Sequence, residues 1–408
     1  MEAVKQTLLD QWQAGMVGFF GIPERQEELK ASATLARAVR ARFRTLVVLG
    51  IGGSDLGTRA LLKALPGSGR GMTVKFLGGN TDPEEMAAVL KGLDWRKTAI
   101  NIISKSGDTI EPMSAFLILR DQLIRAVGKT KHAAHVICTT DEEKGTLREI
   151  ADREGYRTLP VPGGIGGRYS VLTPVGLFPA ACAGLDIEGL IAGAAALREE
   201  FAAAAPEENA PLLFAGLQHE AYFAGERITV LMPYAEALRE FAFWFRQLWA
   251  ESLGKKNDRT GRVVRHGFTP VAALGATDQH SQIQLYNEGP ADKTVTFLEV
   301  ERFRADFAVP KPYPRLEGVA YMAGHKMSAI IHAEREATAR ALAKSGRPNA
   351  TIRIPEISAA TMGALIMFFM IATAAAAELL EVNAYDQPGV EDGKRMMYAI
   401  LGRRGYTA

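Results

Sequence analysis

The fold class predicted from the sequence is α/β: two doubly wound parallel sheets flanked by helices, with helical extensions at the N- and C-terminal ends. Three observations predict it. Short β-branched runs alternate with helical stretches along the chain. Several of those runs break into polar loops rich in Gly, Ser and Thr before the next helix, as the carboxyl ends of parallel strands do. The 408 residues supply two or three domains' worth of core.

The elements follow in order. "MEAVKQTLLDQWQAG" at the start is polar and amphipathic, and it lacks the apolar core of a signal peptide. "TLVVLG" (45–50), "TVKFLG" (73–78), "TAINIIS" (98–104) and "AHVICTT" (134–140) read as buried strands of a first sheet. Pro83 is placed to open the helix after the second of them. "RITVLM" (227–232), "FTPVAAL", "TVTFLEV" and "ATIRIPEI" supply a second sheet. "MGALIMFFMIATAAAA" (362–377) is shorter than the roughly 20 apolar residues of a membrane span, and Glu378 and Glu381 close it, so it reads as a buried helix. The expected division is an N-terminal helical segment (1–40), a first sheet-bearing domain (41–200), a second (201–385) and a C-terminal segment (386–408).

Composition narrows the function. With 48 Lys and Arg against 46 Asp and Glu, the net charge is +2, which makes no electrostatic case for nucleic acid or a membrane surface. Two cysteines, Cys138 and Cys182, are too few for a disulfide framework or a thiolate metal site, and a cytoplasmic setting is expected.

Two loops are suited to an anion. "GIGGSDLG" places Gly50, Gly52, Gly53 and Ser54 between a strand and a helix N-terminus, where free N–H groups and the helix dipole favour negative charge. It is neither a dinucleotide fingerprint, since Asp55 stands where the third glycine belongs, nor a Walker loop. "SKSGDT" offers the hydroxyls of Ser104, Ser106 and Thr109 beside the ammonium of Lys105, a cradle for a phosphate monoester. The competing explanation of either loop is simple helix capping.

Four further segments invite chemistry. In "RQLWAESLGKK", Glu251 continues the apolar stripe Ala237, Phe241, Trp244 and Leu248. A carboxylate there either sits at a frayed helix end or is held on a buried face, where desolvation makes it more basic. "GGIGGRYS" puts Arg168 behind a glycine run that ends at Gly167. "GATDQHSQ" puts His280 at a strand end, with no second histidine at metal spacing, so no metal is expected. "YDQPGVEDGK" carries Gln387 and, seven residues on, Lys394.

Together these blocks, with "GGRYSVLTPVGLFPAACAGLDI" and "GATDQHSQIQLYNEGP", resemble the glucose-6-phosphate isomerase family, in the family's order from about residue 46 to 395. The resemblance implies two sugar-isomerase (SIS) domains, an aldose–ketose isomerisation through a cis-enediolate, no cofactor, and a homodimer with its site at the subunit interface. It implies that Glu251 is the base and that Arg168 steadies the enediolate. His280, donated by the neighbouring subunit, and Lys394 would open the sugar ring. Ser54, Ser104, Lys105, Ser106 and Thr109 would hold the phosphate end, with Gly53 a further substrate contact. Gly167, Gln247 and Gln387 would contact the sugar.

Activity on mannose 6-phosphate as well shares this chemistry. A non-catalytic sugar-phosphate-binding module would share the loops without needing the catalytic set. A nicotinamide-dependent dehydrogenase is disfavoured by the failed fingerprint. Asp108 departs from the family's Thr or Ser, as does "ESLG" from "ESNG", and a carboxylate facing a phosphate would repel it. Asp108 is therefore expected to turn away from the cradle and cap a backbone N–H of the following helix.

Overall fold

The computed structural model describes residues 1–67 and 69–406. The first half contributes strands β1 (Thr45–Leu49), β2 (Thr73–Leu77), β3 (Thr98–Ile103), β4 (Val136–Thr140) and β5 (Arg157–Pro160). They form one fully parallel sheet in the order β2-β1-β3-β4-β5. The second half contributes β6 (Ile228–Pro233), an antiparallel hairpin of β7 (Lys255–Asn257) and β8 (Val263–His266), then β9 (Thr269–Ala272), β10 (Lys293–Val300) and β11 (Asn349–Ile354). Its sheet is parallel in the order β11-β10-β6-β9. Every strand read from the sequence is present; β5 and the hairpin are additional.

The strand order places the two anion-suited loops together. Successive crossovers run outward in opposite directions from β1 and β3, so the loops after these neighbouring strands open a crevice at the carboxyl edge of the sheet. "GIGGSDLG" follows β1 and "SKSGDT" follows β3.

Helices bind the two sheets into one core. Ala359–Leu379 is the only helix among the described residues long and apolar enough to cross a membrane, with a mean hydropathy of 1.9 over an 18-residue window. Yet 78% of that window is buried inside the protein, against helices Ile187–Ala203, Ala210–Ala224 and Arg239–Leu253. Helix Arg239–Leu253 also packs on helix Leu56–Ala64 of the first half and on β9 of the second. It lies at the seam between the halves, and its C-terminal turn carries Glu251. The chain is helical before β1 (Glu2–Gln13, Gln26–Arg42) and again near its C-terminal end (Glu391–Ile400).

Candidate active site

The phosphate-suited loop is shaped by its own hydroxyls. Ser104, buried at the end of β3, accepts from the Gly107 N–H at 3.0 Å, and Ser106 accepts from the Asp108 N–H at 3.2 Å. Gly107 has φ +75°, and a Cβ there would lie 2.1 Å from the Leu147 nitrogen, so the turn admits only glycine. Thr109 occupies the N-cap of helix Ile110–Val127 but makes no side-chain cap bond. Capping therefore does not account for the hydroxyl cluster. Ser54, Ser104, Lys105, Ser106 and Thr109 all line one cleft of about 660 Å³.

Asp108 lines the same cleft, so the expectation that it turns away is corrected, and it is not a cap. Its carboxylate accepts from Thr146 Oγ1 at 2.8 Å and from Arg403 Nη2 at 2.8 Å. The bond from Arg403, supported by Thr146, holds the Asp108 carboxyl below the usual aspartate range. The partners come from elsewhere in the chain, so the capping expectation is corrected. Asp55, the residue that spoils the dinucleotide fingerprint, pairs with Arg59 at 2.7 Å, and burial pushes its carboxyl upward against that pairing.

A second cluster lies beside the first. The turn holding Arg168 crosses the glycine loop so closely that a Cβ on Gly53 would stand 2.1 Å from the Gly167 carbonyl carbon. This contact fixes Arg168, whose side chain is 2% exposed. Its five N–H donors find five acceptors. Nε donates to Ser252 Oγ at 2.8 Å, and Nη1 donates to Glu251 Oε2 at 3.2 Å and Gln387 Oε1 at 2.9 Å. Nη2 donates to the Ala384 and Asp386 carbonyls at 2.7 and 3.0 Å. Such a guanidinium cannot swing away without breaking several bonds.

Glu251 sits between the two positions expected from the sequence. Phe241, Trp244 and Leu248 are buried as the stripe requires, but the helix proper begins at Arg239, leaving Ala237 in the preceding turn. Glu251 closes the stripe in the last helical turn with its side chain 36% exposed. The carboxylate faces the seam rather than the core, held by Arg168 and by Gln247 Nε2 at 3.2 Å. Gln247 Oε1 is buried without a partner, an acceptor suited to a substrate hydroxyl. A Cβ on Gly52 would meet Gln247 Nε2 at 2.7 Å. The glycine loop thus links the carboxylate–guanidinium cluster to the cleft lined by Ser54.

Sequence reasoning missed Lys255. Its buried ammonium donates to the Glu251 carbonyl at 2.9 Å and to the Asp386 carbonyl, and pairs with Asp386 Oδ1 at 3.0 Å. Burial pushes this lysine below its ordinary value, opposed by Asp386. Lys255 ties the Glu251 helix to the 384–387 loop that supplies Gln387. The available signal was its position four residues past Glu251, at the start of β7.

Two expected residues are not joined to this cluster within one chain. His280 is exposed beyond β9, in a loop pinned by Asp278 to the Leu274 N–H and by Gln279 to Tyr234. Lys394, in helix Glu391–Ile400, bonds Glu391 at 2.9 Å and is half exposed. Among the described residues, neither side chain has a hydrogen bond or ion pair to Glu251 or Arg168.

Two parallel sheets, a hydroxyl-lined cleft at the β1/β3 crevice and an adjoining carboxylate–guanidinium pair make up an α/β protein with one candidate site at the seam of its halves. The family model described as phosphoglucose isomerase matches residues 26–405, and the chain belongs to that family. A glucose-6-phosphate isomerase of Carboxydothermus hydrogenoformans is 43% identical over 98% of this chain and 88% of its own length. Among solved structures, a hypothetical protein from Thermus thermophilus superposes with TM-score 0.91 at 38% identity, covering 98% of this chain and 94% of that one. A glucose-6-phosphate isomerase from Chlamydia trachomatis superposes with TM-score 0.82 at 27% identity, covering 92% and 73%.

Proposed function

We propose that the cleft and the cluster beside it divide between them the work of one reaction, the reversible isomerisation of glucose 6-phosphate to fructose 6-phosphate. That reaction follows from the family; the assignment of residues to steps is our reading. The observation that carries it is the contact between Glu251 and a fully bonded, nearly buried Arg168.

The phosphate dianion binds Ser54, Ser104, Ser106, Thr109 and Lys105, with charge-assisted hydrogen bonds fixing one end of the sugar. His280 and Lys394 move the protons that open the ring. Glu251 then takes the proton from carbon 2 of the open-chain aldose. The electron pair shifts to form the carbon 1–carbon 2 double bond, leaving negative charge on the carbon 1 oxygen. A fixed guanidinium beside that oxygen stabilises the charge without reorganising at the moment of reaction. A proton passes from the carbon 2 hydroxyl to the carbon 1 oxygen, and Glu251 returns its proton to carbon 1 as the carbon 2 carbonyl forms, giving the ketose. Gln247, Gln387, Gly53 and Gly167 shape the sugar pocket. Nothing in this sequence of steps calls on a metal or organic cofactor.

We read the protein as a cytoplasmic homodimer in which His280 completes the partner's site. The exposure of His280, together with its lack of a bond to Glu251 or Arg168 in its own chain, supports that reading. The two sheet-bearing domains span 41–200 and 201–385 in this reading, with Lys394 on the C-terminal segment. The test is a coupled assay from fructose 6-phosphate that reads glucose 6-phosphate and mannose 6-phosphate separately. Formation of glucose 6-phosphate is the expected result. Turnover to neither product would refute the assignment.

A further inference from the structure

Asp108 is the one carboxylate in the phosphate loop and lines the cleft, yet the side chains that donate to it all come from outside that loop. Two of them lie near the C-terminal end of the chain. Tyr398 donates its hydroxyl to the Asp108 carbonyl at 3.1 Å across 290 residues, and Arg403 donates to the Asp108 carboxylate at 2.8 Å across 295. The Arg403 guanidinium also lies over the Tyr398 ring, 4.5 Å from its centroid, and over Tyr406 at 5.3 Å. The two tyrosine rings meet edge to face at 5.0 Å.

This contact fixes more than a chain end. Tyr398 belongs to helix Glu391–Ile400, and Lys394 stands four residues before it, on the same helical face. The residue that touches the phosphate loop and the residue assigned to ring opening are therefore neighbours separated by one turn. An exposed ion pair alone would hold such a helix weakly. Here the pair is joined by a second hydrogen bond to Asp108 and by cation–π contact of Arg403 with Tyr398 and Tyr406.

We infer that Asp108, Tyr398 and Arg403 form a clasp that positions Lys394 relative to the bound phosphate, with Asp108 acting through the helix and not on the substrate. The clasp rests on the ring-opening role proposed for Lys394. It gives the carboxylate in an anion-binding loop a purpose: the loop keeps the charge because the charge holds the lysine-bearing helix.

The test is a double-mutant cycle in the full-length enzyme, with kcat and KM measured for glucose 6-phosphate. Asp108→Asn and Arg403→Met are each expected to lower kcat roughly five- to twentyfold, as misplacement of a catalytic group does, while KM stays within about threefold. In a Lys394→Ala background neither substitution should cost anything further, because the residue they position is gone. Arg403→Lys should recover part of the loss. Losses that multiply in the Lys394→Ala background would overturn the clasp, since Asp108 would then act independently of the lysine. A changed KM with unchanged kcat would also overturn it, placing Asp108 in the phosphate cradle itself. A silent Lys394→Ala would remove the lysine's own role and the clasp with it. That outcome is distinct from failure of the clasp alone, where Lys394→Ala is damaging and Asp108→Asn is not. The Asp108 and Arg403 side chains are partly exposed, so these variants are expected to fold, and circular dichroism checks that they do.

Discussion

Replacing Arg168 by lysine keeps the charge and removes the fork. The guanidinium uses five donors on five acceptors. An ammonium has three donors on a single nitrogen, so at least two of those bonds must go. Losing a buried hydrogen bond costs about 1–3 kcal/mol when its partner is left unsatisfied. Two of the acceptors have other partners, since Ser252 Oγ also meets the Tyr169 hydroxyl at 3.0 Å and the Asp386 carbonyl also meets Lys255. Ala384 is buried, and for its carbonyl Arg168 is the only side-chain donor among the described residues. The expected loss for Arg168→Lys is therefore about 2–4 kcal/mol, a large share of the roughly 5–15 kcal/mol that holds a protein folded. Urea unfolding at fixed protein concentration reads it. Turnover should fall by about 10²–10³, the usual cost of losing an oxyanion donor. A variant within about 0.5 kcal/mol of the parent and within about threefold in kcat would refute both the five-bond anchoring and the electrostatic role.

Other residues separate positioning from chemistry. Lys255→Met removes a buried ammonium whose partner Asp386 is half exposed, so Asp386 can turn to water. Stability should stay within about 1 kcal/mol while kcat drops about tenfold or more as the loop carrying Gln387 loosens; thermal melts and steady-state kinetics check this, and an unchanged kcat would contradict the positioning role. Inactive His280→Ala protein mixed with inactive Glu251→Gln protein should recover up to about a quarter of parental activity at random dimer exchange, because half of each heterodimer's sites are intact. No recovery in demonstrated heterodimers would mean that each site is built within one chain.

Much of the fold was legible because buried parallel strands write themselves as β-branched runs, and each such run is present. β5 was not, because "RTLP" is four residues long and lies at the sheet edge with only Leu159 deeply buried. The β7–β8 hairpin escaped for a related reason: "KKN" and "VVRH" are charged and mostly exposed, and their pairing depends on the turn between them. There Asp258 gathers the N–H groups of Thr260 and Arg262.

The site was legible in its parts and not in its connections. Nothing in the order of the chain states that Arg168 meets Glu251 across 83 residues or Gln387 across 219. The same limit produced the error at Asp108. Local reasoning offered the nearest helix as its partner, while its charge is met by Arg403. The apolar stripe left Glu251 either at a frayed end or on a buried face; its place in the final turn, where the helix reaches the seam, leaves it partly open to solvent.

The most direct test of Glu251 as the base is solvent hydrogen exchange in Glu251→Gln. The enzyme, incubated in heavy water with fructose 6-phosphate, should place deuterium at carbon 1 of recovered substrate and carbon 2 of the aldose product, read by mass spectrometry. The substitution keeps the shape of the side chain and its place beside Arg168 but removes its basicity, so substrate affinity should hold while exchange and turnover fall together by orders of magnitude. Exchange continuing near the parental rate in Glu251→Gln would contradict the assignment and make another residue the base.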